Sequence, residues 1–145
     1  MIFCDTSTLA KYYVSERESA EVRLLFDQED QVVFSELARI ELMGVFHRRL
    51  REGKWNREEF LTVIQQFTRD DADDYWKWVP LESAILEQAI KIFSTLSEKI
   101  FLRSSDCLHL VTAMQHRMHQ IYTHDSHQSE AASSFGLVPV RIGSI

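Results

Sequence analysis

Cysteine, proline and glycine are all scarce in this 145-residue chain, at two, two and four residues. Two cysteines cannot form a disulfide framework, and Cys4 and Cys107 each sit among apolar neighbours, where a small buried thiol is the ordinary role. Free thiols fit a reducing cytoplasm. So little proline and glycine leaves no linker, and there is no repeat or biased stretch to suggest disorder. No apolar run approaches the ~20 residues that cross a bilayer. The start, Met1 to Asp5, meets a charge too soon for a signal peptide. Positive charge is in deficit too: 16 Lys and Arg against 22 Asp and Glu give −6, which argues against a protein that coats nucleic acid non-specifically.

What the chain does have is 45% hydrophobic content, enough for one compact core and a single domain over residues 1–145. Ile2 to Cys4 reads as a buried strand, followed by a helix to about Val14. Ser15 with Glu18 predicts a capping box for a helix to about Gln28, and Gln31 to Phe34 a second strand. A long helix is expected from Ser35 to Gly53, and Asn56 with Glu59 predicts the capping box of the next, to about Arg69. Tyr75 to Val79 is a third strand closed by Pro80. Helical stripes then run from Glu82 to about Glu98 and from Ser104 onward, before a strand at Gln120 to Thr123. The chain ends with a helix from Ser126 to Phe135, stopped by Gly136, and a strand from Leu137 to Ile142. Short apolar strands alternating with helices predict a three-layer α/β/α domain around a mainly parallel sheet. Ligands in such sheets bind beyond the carboxyl ends of the strands, where Asp5 and Asp125 fall.

Four acids stand out. Glu41 has Leu37, Ala38, Gly44 and Val45 as its helical neighbours, so no local cation pairs with it. A carboxylate on that apolar side needs a partner from elsewhere, either a distant Arg or Lys or a metal. Gly44, one turn on, leaves room for close approach. Asp106 follows Ser104 and Ser105 in a first turn, where the helix dipole or Arg103 would suffice to explain it. Asp5 and Asp125 each have the simpler role of N-cap. Gathered in one crevice, the four change meaning: two unit charges ~4 Å apart repel by about 4 kcal/mol at an effective dielectric near 20. A divalent cation relieves that repulsion, and all-oxygen ligands select a hard ion such as Mg²⁺ or Mn²⁺ that meets phosphate oxygens. Five of the cations, Arg48, Arg49, Arg51, Lys54 and Arg57, fall in one stretch that is either a solvated helix face or a phosphate-contacting one, with Arg48, Arg49, Arg51 and Lys54 the candidate contacts to a substrate's phosphates.

The pieces Cys4-Asp5-Thr6-Ser7 with Leu9 and Lys11-Tyr12, Ala38-Arg39-Ile40-Glu41-Leu42, Leu102 to Leu110, and Thr123-His124-Asp125 occur in the order and spacing of the PIN-domain family. The chain resembles that family along nearly its whole length, and within it the VapC-type toxins of toxin–antitoxin pairs. The resemblance implies an RNA endonuclease in which Asp5, Glu41, Asp106 and Asp125 hold one or two Mg²⁺ or Mn²⁺ ions. It implies that Thr6, Ser7 and Thr123 orient those carboxylates or bound water. It further implies a homodimer, and an antitoxin whose tail occupies the groove and places an Arg near the acids. A housekeeping nuclease of the same family is the alternative. Cys107 stands where the family often has a smaller residue.

Other constellations are weaker. His116, His119, His124 and His127 lack the Cys pair or His-Glu-x-x-His spacing of a zinc site, so solvent-facing or capping roles are expected. Asp70, Asp71, Asp73 and Asp74 do not make a calcium loop, because Tyr75 and Trp76 occupy positions that need an oxygen ligand and a glycine; a solvated loop is expected. A receiver-like signalling domain would need paired early acids and a late lysine, but Asp5 stands alone and no lysine follows Lys99.

Overall fold

A computed structural model describes residues 1–143. Five short strands form its centre: β1 (Ile2–Phe3), β2 (Val32–Ser35), β3 (Lys77–Val79), β4 (Gln120–Tyr122) and β5 (Val138–Val140). β1 pairs with β2, β2 with β3 and β4 with β5, all parallel, and a parallel bridge from Cys4 to Tyr122 joins the two groups. The spatial order is therefore β3-β2-β1-β4-β5. The chain builds outward from β1 through β2 to β3, then returns to the other side of β1 with β4. That reversal makes the gap between the ends of β1 and β4 the switch point of the sheet, where loops diverge and leave a crevice.

Alternation along the strands divides the core in two. Ile2, Cys4, Val32 and Phe34 face one layer, which comprises helices α1 (Thr6–Tyr13), α2 (Ser19–Gln28), α3 (Leu37–Arg51) and α4 (Arg57–Ala72). Phe3 and Val33 face the other, formed by α5 (Ser83–Thr95), α6 (Ser104–Gln115), α7 (Ser126–Ala132) and a 3-10 turn at Ser133–Phe135. The α/β/α arrangement with a parallel sheet is the one expected. Among the described residues no helix is long and apolar enough to cross a membrane.

Local signals account for most boundaries. The Asn56 side chain accepts from the Glu59 amide at 2.8 Å while Glu59 accepts from the Asn56 amide at 3.1 Å, the reciprocal cap expected for α4. Gly136 takes a left-handed φ of 72° after the 3-10 turn, which explains a glycine there.

Two local expectations fail. Ser15 and Glu18 do not cap α2: Glu18 itself precedes the helix, at a left-handed φ of 72° and with no capping bond from its side chain. Its carboxylate turns instead to Lys11, Arg141 and His124, and the Ser19 hydroxyl closes the turn by donating to the Val14 carbonyl at 2.8 Å. The Asp70–Asp74 run is not simply a solvated loop either. Asp70 and Asp71 extend α4, and buried Asp70 accepts from the Tyr13 hydroxyl at 2.7 Å and from Gln66 at 2.8 Å. Trp76 donates to the same Tyr13 oxygen at 2.7 Å, so a polar chain ties α1, α4 and the approach to β3.

Candidate active site

Asp5 leaves β1 and caps α1. Its Oδ1 accepts from the Thr8 amide at 3.3 Å and the Ser7 hydroxyl at 2.6 Å, and its Oδ2 from the Thr123 hydroxyl at 2.6 Å. Asp125 does the same beyond β4, its Oδ1 accepting from the amides of His127 and Gln128 at 2.8 and 3.0 Å. Both are N-caps, as their positions predict, and the capping role does not exclude a second one. Thr123 links them: its hydroxyl donates to Asp5 and accepts from the Asp125 amide at 3.0 Å. Ser7 makes the matching link on the other side, donating to Asp5 and accepting from the His124 amide at 2.8 Å. Two hydroxyls thus lock the ends of adjacent strands together through one buried carboxylate.

Glu41 comes from α3. Thr6 donates to its Oε1 at 2.7 Å, and the buried His109 ring approaches the same oxygen with Nε2 at 2.6 Å. The partner that the apolar helix face withheld is therefore a histidine from α6, three residues after Asp106 and on the same face of that helix. Asp106 is buried, and Arg103 reaches it with Nε at 2.8 Å while Nη2 of the same guanidinium bonds Asp125 Oδ2 at 2.6 Å. Arg103 is the resident counter-charge of the site. Its own proton is held more firmly than usual by those two carboxylates.

These residues share one open cleft of about 570 Å³, lined by all four acids, by Thr6, Ser7, Arg103, Ser105 and His109, and on α3 by Gly44, Val45 and Arg48. Electrostatics within it are uneven. Burial pushes Asp5 above the ordinary carboxylate range, although nearby His109 and the Ser7, Thr123 and Thr8 donors oppose it. Burial acts on Glu41 and Asp125 in the same direction, but is outweighed. His109 and Thr6 hold Glu41 down, and the amides of Gln128 and His127 with Arg103 hold Asp125 down. Asp5 is thus the acid least compensated by the protein itself. Among the described residues no three His, Cys, Asp or Glu side chains are drawn together as an ion cage, since the carboxylates are turned toward Arg103, His109 and the hydroxyls.

The basic stretch divides. Arg48 lines the cleft and bonds Glu52 at 2.8 Å; Arg49 turns away to Glu16 and lies over Trp55; Lys54 sits 3.7 Å from Glu52, and Arg51 is exposed. His124 corrects the expectation of a solvent-facing ring: its side chain is 2% exposed, with Nδ1 2.9 Å from the Thr8 hydroxyl and Nε2 3.0 Å from both the Ile142 carbonyl and Glu18. His109 and the bridging role of Arg103 were the residues a sequence reading passed over. Their spacing of three from Asp106, on either side, was the available signal.

The PIN domain family model matches residues 2–133. No curated protein matches by sequence. Among solved structures, the Mycobacterium tuberculosis VapC20 toxin, which cleaves the sarcin–ricin loop, superposes with a TM-score of 0.74 at 17% identity, covering 97% of this chain and 99% of that one. FitAcB from Neisseria gonorrhoeae gives 0.72 at 17% identity, covering 96% of each chain. VapBC2 from Rickettsia felis, bound to a promoter DNA fragment, gives 0.67 at 12% identity, covering 97% and 98%. With the family model spanning all four acids and the sheet reversing beside two of them, the chain belongs to the PIN-domain family.

Proposed function

We propose that this protein is a metal-dependent endoribonuclease that hydrolyses RNA phosphodiester bonds, with Asp5, Glu41, Asp106 and Asp125 as its metal-binding and catalytic acids. The observation that carries the reading is the convergence of these four carboxylates, from four separate elements, on one cleft at the sheet's switch point. A purely structural cluster would be balanced by the chain's own cations. Here one guanidinium bridges Asp106 and Asp125, the His109 ring meets Glu41, and among the described residues no cation is bonded to Asp5. The donor set is hard oxygen, which fits Mg²⁺ or Mn²⁺, and Asp5, Glu41, Asp106 and Asp125 would hold one or two such ions. An ion held there would lower the pKa of a bound water, so that it could attack phosphorus as hydroxide, and would supply positive charge against the developing oxyanion.

The chain's residues do the rest. Thr123 and Ser7 fix both oxygens of Asp5, so the carboxylate cannot rotate away from the cleft. Thr6 and His109 hold one oxygen of Glu41 and leave Oε2 free to take a proton or a water. Arg103 bridges Asp106 and Asp125, offsetting their mutual repulsion, and is placed to meet the phosphate of a bound strand. Arg48, at the α3 side of the cleft, is the best placed of the candidate RNA contacts; Arg49 and Lys54 are engaged by Glu16 and Glu52 outside the cleft, and Arg51 is exposed beyond it.

The same reading makes the protein the toxin of a toxin–antitoxin pair acting in the cytoplasm, restrained by an antitoxin that covers the cleft. Support comes from the fold neighbours, which include a sarcin–ricin-loop-cleaving toxin and a toxin–antitoxin complex from Klebsiella pneumoniae. Exposed Ile40 on α3 and Leu86, Ile90 and Phe93 on α5 leave apolar surface for a homodimer. Incubating the protein, free of any antitoxin, with total RNA and Mg²⁺ or Mn²⁺ tests the reading. Discrete cleavage products that EDTA abolishes support it; intact RNA under both metals overturns it.

A further inference from the structure

Phe101 is 59% exposed, in the non-helical segment that links α5 to α6, although its two neighbours are not. Ile100 and Leu102 pack against the second hydrophobic cluster, whereas Phe101 and Arg103 point outward, the in-and-out alternation of extended chain. Phe101 and Arg103 therefore share a face, about 7 Å apart along the backbone. Arg103 spends its guanidinium on Asp106 and Asp125 inside the cleft. Phe101 meets the exposed ring of His127, with centroids 4.5 Å apart and planes tilted by 50°. His127 is itself tied to the site, because its amide donates to Asp125 Oδ1 at 2.8 Å. The two rings thus meet at the start of α7, one carried by a backbone packed into the core and the other by a residue whose amide bonds Asp125.

We propose that Phe101 and His127 form a stacking platform for an unpaired RNA base next to the scissile phosphate, and that Phe101 is a specificity-determining contact. The proposal rests on the nuclease reading above. Single-stranded RNA is recognised by bases laid on aromatic faces, beside cations that hold the backbone, and both are juxtaposed here. A tilted, solvent-facing pair also leaves one ring face open. Base-paired RNA keeps its bases stacked on one another and cannot use such a platform, so the site selects loops and single strands.

The test uses the Asp5→Asn protein, which is expected to hold RNA without cutting it, and fluorescence anisotropy with end-labelled oligo(A) and oligo(U) of about ten nucleotides. Phe101→Ala in that background is expected to weaken oligo(A) binding about tenfold, Phe101→Trp to restore it, and a blunt RNA duplex to be indifferent to both. Circular dichroism should show the same fold for each variant, since the ring is exposed. Oligo(A) affinity within about twofold of the parent after Phe101→Ala overturns the platform, as does failure of the parent to bind either oligonucleotide while wild-type protein still cuts RNA. Wild-type protein that cuts no RNA with either metal is the separate failure of the nuclease reading, and the platform falls with it.

Discussion

Asp5 carries the sharpest conflict between stability and function in the cleft. It is buried, three donors fix it, and burial still pushes its pKa above the ordinary value of 3.8. An acid whose folded-state pKa lies above its unfolded one opposes folding once ionised. The penalty is absent below 3.8, grows as pH rises through the folded value, and is complete above it. Asp5→Asn removes it while keeping a carbonyl for the Thr8 amide. The metal-free variant should melt above wild type at neutral pH, and the gap should close in acid; scanning calorimetry at both pH values checks this, and a lower midpoint at neutral pH would contradict it. A site whose removal stabilises the fold is the usual mark of a residue retained for chemistry. Not every residue role was readable in advance. Asp5 and Asp125 announce themselves at strand ends, and the lack of a cation near Glu41 along its helix was visible. The partner itself, His109, was signalled only by its spacing of three from Asp106, because its contact with Glu41 arises through the packing of α6 against the sheet.

At the scale of elements, α1 is held at both ends. Its N-terminus is the Asp5 cap, and its last residue, Tyr13, donates to Asp70 and accepts from Trp76. Tyr13→Phe leaves a buried carboxylate oxygen and an indole N–H short of a partner, a cost of about 1–3 kcal/mol. Urea unfolding should show that loss with little change in slope, and α1 should then hold Asp5 and Thr6 less firmly. Helix limits that depend on neighbouring residues, such as the Asn56 and Glu59 box, could be read from the chain. The expected Ser15 and Glu18 box could not be ruled out in the same way. Glu18 is taken from it by Lys11, Arg141 and His124, and Arg141 and His124 lie more than a hundred positions away. Asp70 repeats the lesson: one acid in a run of four is buried by a tyrosine from another helix, and nothing local distinguishes it from Asp73.

For the whole molecule, the sheet order decides where chemistry is placed. Reversal between β1 and β4 brings residues 5 and 125 together, and α3 and α6, on opposite layers, each contribute one acid to the same opening. The alternation of strands and helices made the three layers legible, but pairing β1 with both β2 and β4 is a tertiary choice. An ion bound by four elements should stabilise them jointly. Mn²⁺ at about 100 times its dissociation constant should add about 2.7 kcal/mol to unfolding, seen as a raised melting midpoint, and Asp106→Asn should abolish that rise. The most direct measurement of the central claim compares RNA cleavage by wild type with Asp5→Asn, Glu41→Gln, Asp106→Asn and Asp125→Asn, each confirmed folded, at saturating Mg²⁺ or Mn²⁺. Four carboxylates acting as one metal site predict that every variant loses at least about a hundredfold in rate; wild-type cleavage by Asp5→Asn or Asp106→Asn, or cleavage that persists in EDTA, would contradict it.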